Sequence, residues 1–110
     1  MTQAKVELFN QDLQIASSYF KALSHPARLA ILNYLADIKT CISGDISNEL
    51  PLSRTTVNQH LKELKEIGLI KGEISGVKTK YCLDKDKIAE LKTITNSFLG
   101  SLDICENQKC

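Results

Sequence analysis

The stretch Ile42–Leu83, ISGDISNELPLSRTTVNQHLKELKEIGLIKGEISGVKTKYCL, decides the fold of this chain. It contains a short helical pattern, a turn, a longer helical pattern, and two alternating runs on either side of Ser75-Gly76. Helical periodicity followed by strand periodicity around a tight turn is typical of a helix-turn-helix with a β-hairpin wing. We therefore predict a mainly α winged helix-turn-helix fold, in the order α-α-α-α-β-β-α.

The longer helical pattern has two different faces. Val57, Leu61 and Leu64 form an apolar stripe at helical spacing. Within this helical pattern, Glu63 is the first acidic residue. The other face is rich in arginine, asparagine, glutamine and threonine, which are the residue types of major-groove readout. A merely solvated surface helix, the alternative, would favour Glu and Lys. The predicted DNA-contacting residues of this segment are Ser53, Arg54, Thr55, Thr56, Asn58, Gln59, His60 and Lys62.

Capping signals define the limits of this helix pair. Ser53 precedes the longer pattern as an N-cap, and Gly68 follows it as a stop. Ser43 is predicted to cap the shorter helix, so the helix-turn-helix covers residues 43–67. For His60, packing within the helix pair is the alternative to a phosphate contact.

The alternating runs predict a wing over residues 69–83. The face carrying Ile70, Tyr81 and Leu83 is predicted to meet the core, and lysines occupy the opposite face. We expect Lys78 and Lys80 to contact phosphate. The alternative is a solvated hairpin whose lysines protect an edge strand.

Length and charge narrow the class of protein. The chain has 110 residues and a net charge of +1, and residues 52–83 carry six basic and three acidic side chains, a local net charge of +3. Both flanks have a net charge of −1, so positive charge is concentrated in the predicted DNA-binding segment. No long apolar run or signal peptide is evident, which predicts a cytoplasmic protein without a membrane partner. The sequence has no nucleophile elbow, phosphate loop or His-Glu-x-x-His motif, so we predict no enzyme activity.

The terminal segments are predicted to be dimerisation helices. Residues 1–24 and 86–104 each carry apolar side chains on more than one side of a helix. A monomer of this size cannot easily bury both surfaces, so a two-fold homodimer is expected. Such a dimer would hold two DNA-contacting helices about 34 Å apart, one turn of DNA. Between these helices, His25 is predicted to lie at a helix start, with Pro26 in the first turn.

Four motifs in combination resemble the ArsR-type (arsenic repressor) family of bacterial transcriptional regulators. They are FKALSHPARLAIL at 20–32, GDI at 44–46, LSRTTVNQHLKEL at 52–64 and GLI at 68–70, and the likeness covers nearly the whole chain. The resemblance implies a homodimeric repressor that binds double-stranded DNA at an imperfect palindromic operator and releases it on binding an inducer. Family contacts to DNA carry over to Arg54, Thr55, Asn58 and Gln59, although relatives more often have Gln and Ser here.

The cysteines are the candidate sites at which an inducer would act. Members of this family that sense arsenic carry Cys-x-Cys, because As(III) is held by converging thiolates, as other soft ions are. This chain has Cys41-Ile42-Ser43, which supplies one thiol. A zinc site implied by other members needs a histidine in the last helix, and none follows His60. Cys41, Cys105 and Cys110 are therefore the candidate sensing residues for As(III), a soft metal ion or an oxidant, with Cys82 ranked last.

Three alternatives remain open at this point. The four cysteines could be unrelated thiols, with Cys82 on the outer face of the wing and Cys110 in a tail formed by residues 105–110. The chain could regulate transcription constitutively, without an inducer. It could also be a protein-interaction module, although such a module predicts apolar or acidic residues where Arg54, Asn58 and Gln59 stand.

Overall fold

The computed structural model describes residues 5, 7–43, 50–73, 80–102 and 104, and the side chains of 43 and 73 lie outside that description. The described elements, in chain order, are α1 (Gln11–Ala22), α2 (Pro26–Ile38), β1 (Ile42–Ser43), α3 (Arg54–Glu66), β2 (Ile70–Glu73), β3 (Lys80–Leu83) and α4 (Lys85–Gly100). This order confirms the mainly α fold with a small β wing. The predicted short helix after Ser43, the wing tip at Ser75-Gly76 and the tail at 105–110 fall outside the described residues.

Side-chain caps determine where the helices begin. The Asn10 carboxamide accepts a hydrogen bond from the Asp12 backbone N–H over 2.7 Å, so α1 starts at Gln11. The sequence had placed Leu8 within the first helix, but Leu8 lies in the turn before α1. At α2, Nδ1 of His25 accepts from the Ala27 N–H over 3.0 Å, and Pro26 opens the helix as predicted.

Helix α3 ends in a glycine-based cap. Gly68 has a φ of +93°, a conformation in which a side chain would be strained. The Gly68 N–H donates to the Lys65 carbonyl over 2.9 Å, and the Leu69 N–H donates to the Leu64 carbonyl over 3.0 Å. This pair of bonds is a Schellman motif, which satisfies two of the last carbonyls of the helix. The predicted stop at Gly68 is therefore confirmed.

The wing belongs to a three-stranded antiparallel sheet in the order β1-β3-β2. Strands β2 and β3 form the predicted hairpin, with Lys71 opposite Cys82. The sequence did not predict β1, which pairs Ile42 with Tyr81 and Ser43 with Lys80. A strand of two residues is too short to show an alternating pattern, so only its distant partner strand reveals it.

The core fixes the orientation of α3. Val57, Leu61 and Leu64 are each at most 1% exposed, which confirms the predicted apolar stripe. They pack with buried side chains of the other elements, namely Tyr19, Ile31, Leu35, Leu69, Ile70 and Tyr81. Each fully buried aliphatic side chain contributes about 1.5–3 kcal/mol. The opposite face of α3 is consequently held outward.

Helices α1 and α4 pack against each other. The rings of Phe20 and Phe98 meet edge to face at 5.6 Å between centroids. The Tyr19 hydroxyl donates to Oε2 of Glu90 over 2.8 Å, and burial together with this carboxylate raises the pKa of Tyr19 to about 12. Among the described residues, no helix combines the length and apolar character needed to cross a bilayer.

Candidate nucleic-acid interface

The outward face of α3 gathers most of the residues predicted to contact DNA. Arg54, Thr55, Gln59 and Lys62 are exposed, and Asn58 is half-buried at the edge of this face. The helix therefore presents two amides, a guanidinium, an ammonium and a hydroxyl on the side remote from the core. Such groups can bond base edges and phosphates when a helix enters a major groove.

The start of α3 is built around Ser53 and Thr56. The Ser53 hydroxyl accepts from the Thr56 backbone N–H over 3.3 Å, which confirms the predicted N-cap, and it lies 3.1 Å from the Thr56 hydroxyl. Both residues are exposed, and the first turn holds no acidic side chain. A helix N-terminus carries partial positive charge, so this end of α3 can accommodate a phosphate.

Gln59 has a partner on its own helix. Its amide nitrogen donates to Oε2 of Glu63 over 3.4 Å, one turn further along. The contact is long and exposed, so exchanging it for a base edge costs little. Glu63 can thereby orient the Gln59 amide before DNA is bound.

The structure corrects the prediction for His60. Its side chain is only 8% exposed and faces α2 rather than the outward surface of α3. Nδ1 of His60 accepts a hydrogen bond from Nε of Arg28 over 3.2 Å, and its ring lies 4.3 Å from the ring of His25. Burial lowers the pKa of His60, and His25 and Arg28 lower it further. His60 therefore packs the helix pair and is removed from the set of DNA-contacting candidates.

Arg28 helps to position α3, a role that the sequence patterns did not predict. Besides the bond to His60, its Nη1 donates to the carbonyl oxygen of Ala22 over 3.1 Å. Ala22 is the last residue of α1, so one guanidinium connects the end of α1 with α3. The available signal was the position of Arg28 in the Ser-His-Pro-Ala-Arg motif, two residues after Pro26.

The wing adds exposed positive charge. Lys71 and Lys80 are exposed on β2 and β3, as the alternating pattern predicted. Lys80 sits opposite Glu73 on one side and Ser43 on the other. Lys78 lies outside the described residues. The face of the sheet that carries these lysines is the one remote from buried Ile70 and Tyr81.

Cys82 lies against Cys41, although it ranked last among the predicted sensing cysteines. The two residues are joined by a disulfide, with their Cα atoms 4.2 Å apart. The sequence analysis did not pair these thiols, and they are 41 positions apart in the chain. Cys105 and Cys110 lie outside the described residues. Within the part of the chain that the structure describes, no group of three His, Cys, Asp or Glu side chains is placed to hold a metal ion.

A second surface is apolar and belongs to the terminal helices. Leu13 of α1, Leu99 of α4 and Leu102 just after α4 are each about half exposed. Leu8, Phe9 and Ile104 extend the same apolar character, and Leu8 and Ile104 are more than four-fifths exposed. Between α1 and α4 a groove of about 440 Å³ includes Leu13, Ile94 and Phe98 in its lining. We refer to these residues together as the terminal apolar surface.

Comparison with known proteins gives consistent matches. The sequence model described as "bacterial regulatory protein, arsR family" matches residues 25–71. The cadmium resistance transcriptional regulatory protein CadC of Listeria innocua is 31% identical over 98 residues, which cover 89% of this chain and 82% of that protein. The HTH-type transcriptional regulator Rv2034 of Mycobacterium tuberculosis is 35% identical over 79 residues, covering 72% of this chain and 73% of that one.

The fold is also found in a solved structure. An ArsR-like transcriptional regulator from Rhodococcus superposes with a TM-score of 0.61 at 24% identity, and the match covers 81% of this chain and 82% of the other. At this identity the likeness concerns the fold alone.

Proposed function

Because the chain belongs to the arsR family of bacterial regulatory proteins, we propose that it represses transcription as a homodimer bound to a palindromic operator. Membership makes it a DNA-binding transcriptional regulator and not an enzyme. The homodimer, the operator and the residues assigned to them are the proposal. We place its action in the cytoplasm, where bacterial DNA lies.

The observation that carries the proposal is the division of α3 into two faces. Val57, Leu61 and Leu64 anchor one face in the core, so the other face has a fixed direction. That outward face offers Thr55, Gln59 and Lys62, with Asn58 at its edge. Preorganised hydrogen-bond formers on a rigid helix suit base readout, because little side-chain reorganisation accompanies binding.

The wing would supply contacts beside the groove that α3 enters. Lys80 and Lys71 are exposed on strands that follow α3 directly, and Lys78 belongs to the same segment. Lysine binds phosphate as a point charge and reads no base, so the wing raises affinity for all duplexes. Sequence preference would come from α3.

The terminal apolar surface is where we place the second copy of the chain. Leu99 is 57% exposed and Leu102 is 52% exposed on the last helix and the turn that follows it. Exposed apolar side chains gathered at two neighbouring chain ends favour association, because burial removes them from water. Two-fold pairing would give two copies of α3 about one DNA turn apart.

An inducer acting through thiols is the remaining part of the proposal. CadC of Listeria innocua is named for cadmium resistance, and cadmium is a soft metal that prefers sulfur ligands. As(III), a soft metal ion or an oxidant would act on this chain through Cys41 or the thiols at 105 and 110.

Fluorescence anisotropy tests the core of this proposal. The reduced protein is titrated onto a labelled duplex from upstream of its own gene, and onto a scrambled duplex of equal length. We expect tight binding to the first and at least about 10³-fold weaker binding to the second at physiological salt. Equal affinity for both duplexes would reject operator recognition. Repeating the titration with stoichiometric arsenite or Cd²⁺ shows whether a thiophilic ion releases the DNA.

Sedimentation velocity tests the dimer separately. Leu102→Glu places a charge in the terminal apolar surface and should convert dimer to monomer at micromolar concentration. Leu29→Glu is the matched control, because Leu29 is 47% exposed on α2 and lies outside that surface. Dissociation in both variants, or in neither, would contradict the placement of the interface.

A further inference from the structure

Cys41 immediately precedes β1, and Cys82 lies on the antiparallel strand β3. Ile42 pairs with Tyr81, so the residue before Ile42 faces the residue after Tyr81. Their Cα atoms are 4.2 Å apart, and the sulfur atoms are bonded. We propose that this cysteine pair is a reversible redox switch that an oxidant closes to lower DNA affinity. The inference deepens the proposed function and rests on it.

The surroundings of the pair suit reaction with a small oxidant. Cys41 and Cys82 are both only partly buried, so a small molecule can reach the sulfur atoms. Cys82 lies on the lysine-bearing face of the sheet, opposite Lys71 and two residues after Lys80. Thiolate is the form of cysteine that reacts with oxidants, and positively charged neighbours favour it. Bacterial cytoplasm keeps thiols reduced, so disulfides that form there are usually transient and act in catalysis or sensing.

The chemistry balances with a peroxide as the oxidant. The thiolate of one cysteine attacks hydrogen peroxide, which cleaves the O–O bond, gives a sulfenic acid and, after protonation, releases one water. The second thiol then attacks the sulfenic sulfur, forms the S–S bond and releases another water. In total, two thiols lose two electrons and two protons, and one peroxide becomes two waters. A dithiol reductant reverses the change by thiol–disulfide exchange.

The position of the bond explains how it can act on DNA binding. The closed loop runs from Cys41 to Cys82 and contains α3, β2 and most of β3. This loop holds all the described residues proposed to contact DNA. Without the bond, β1 is attached to β3 through two residue pairs. The disulfide therefore ties together both ends of the DNA-binding unit.

This constraint gives the switch its direction. A winged helix must fit α3 into one groove while its wing meets the neighbouring backbone, so the two parts adjust relative to each other on the duplex. The reduced protein can make this adjustment, because the short β1 pairing yields easily. The oxidised protein holds the wing against the segment that leads into α3. Oxidation should therefore weaken operator binding and release repression.

The test compares operator affinity in the two redox states. Wild-type protein is reduced with dithiothreitol, or oxidised with stoichiometric hydrogen peroxide and freed of excess reagent. The operator duplex is then titrated by anisotropy. We expect the oxidised protein to bind about tenfold more weakly, a coupling typical of linked sites. By reciprocity, operator DNA should raise the reduction potential of the disulfide by about 30 mV for each tenfold difference.

Matched variants assign the effect to this pair. Cys82→Ser and Cys41→Ser should bind like the reduced wild type and ignore peroxide. The Cys105→Ser/Cys110→Ser double variant should keep the full response, since it leaves the pair intact. Equal or tighter binding by the oxidised wild type overturns the switch, as does a response that survives Cys82→Ser.

Peptide mass spectrometry keeps the test independent of variant folding. Oxidised wild type should yield a Cys41–Cys82 cross-linked peptide that reductant removes, and its absence overturns the proposal. Failure of the reduced protein to distinguish operator from scrambled DNA would instead refute the proposed function. The two failures are therefore distinguishable in one set of titrations.

Discussion

Nε of Arg28 donates a hydrogen bond to Nδ1 of His60 over 3.2 Å, joining the first turn of α2 to the middle of α3. The same guanidinium donates to the carbonyl oxygen of Ala22, which is the last residue of α1. Arg28 thus stands between α1, which carries part of the terminal apolar surface, and α3, the helix proposed to contact DNA. This contact relates the orientation of α3 to the position of α1.

Arg28→Ala should lower both stability and operator affinity. It leaves a buried acceptor on His60 without its donor, which costs about 1–3 kcal/mol of unfolding free energy. Urea unfolding measures the loss of stability. Fluorescence anisotropy on the folded protein measures the loss of operator affinity. Lys21→Ala is the matched control, because Lys21 is an exposed cation near the end of α1 that lines the same surface cavity as Arg28. Wild-type stability in Arg28→Ala would show that the contact contributes nothing.

Stability should fall as the pH drops below about 6.5, through His60. Burial, then His25 and Arg28, lower the pKa of His60 below its ordinary value of 6.5, while Glu63 opposes them. At pH values between 6.5 and the lowered pKa of His60, the unfolded chain binds more protons than the folded chain. The unfolding free energy therefore decreases as the pH falls through this range. Above pH 6.5 the contribution of His60 to stability is fully retained.

Urea unfolding at a series of pH values measures this dependence. His60→Asn is the comparison, since a carboxamide oxygen can accept from Arg28 and does not titrate. The variant should lose less stability than wild type between neutral and acidic pH. Parallel curves for the two proteins would assign the pH dependence to other groups.

Gln59→Ala should weaken operator binding by about 1–3 kcal/mol if the amide reads a base. Its partner in the free protein is the Glu63 carboxylate, in a solvent-exposed contact of 3.4 Å, so fold stability should change little. Anisotropy on operator and scrambled duplexes separates specific from general loss. An equal loss on both duplexes would place Gln59 at the backbone rather than at a base.

Lys80→Ala should weaken binding to every duplex alike. Loss of one phosphate contact should lower the slope of log affinity against log salt by about one. Lys92→Ala, which removes an exposed cation on α4, is the control and should keep the wild-type slope. A wild-type slope in Lys80→Ala would remove β3 from the interface.

Gly72→Ala should destabilise the wing. Gly72 has a φ of +124°, and a Cβ there would contact the Lys80 carbonyl oxygen and lie 2.8 Å from the Cα of Tyr81. Strain of this kind costs about 1–3 kcal/mol, because the clash involves backbone atoms that cannot turn aside. Gly100→Ala is the control, since its Cβ would meet nothing within 4 Å. Thermal unfolding should separate the two variants, and equal midpoints would refute the expected strain.

Features that depend on neighbouring residues could be predicted from the amino-acid sequence. The apolar stripe of α3, its cap at Ser53, its stop at Gly68 and the outward lysines at 71 and 80 follow from periodicity and capping, which act over a few positions. The family resemblance rested on the same local motifs. These local signals were enough to predict that α3 contacts DNA.

Contacts between residues far apart in the chain could be recognised only from the folded structure. His60 fits a DNA-facing or a core-facing position equally well by type, and its burial against Arg28 and His25 depends on how α2 crosses α3. Cys41 and Cys82 meet because a two-residue strand adds to the wing in one register. Such pairings arise from the packing of the whole chain, and neither partner shows a local pattern that announces the other.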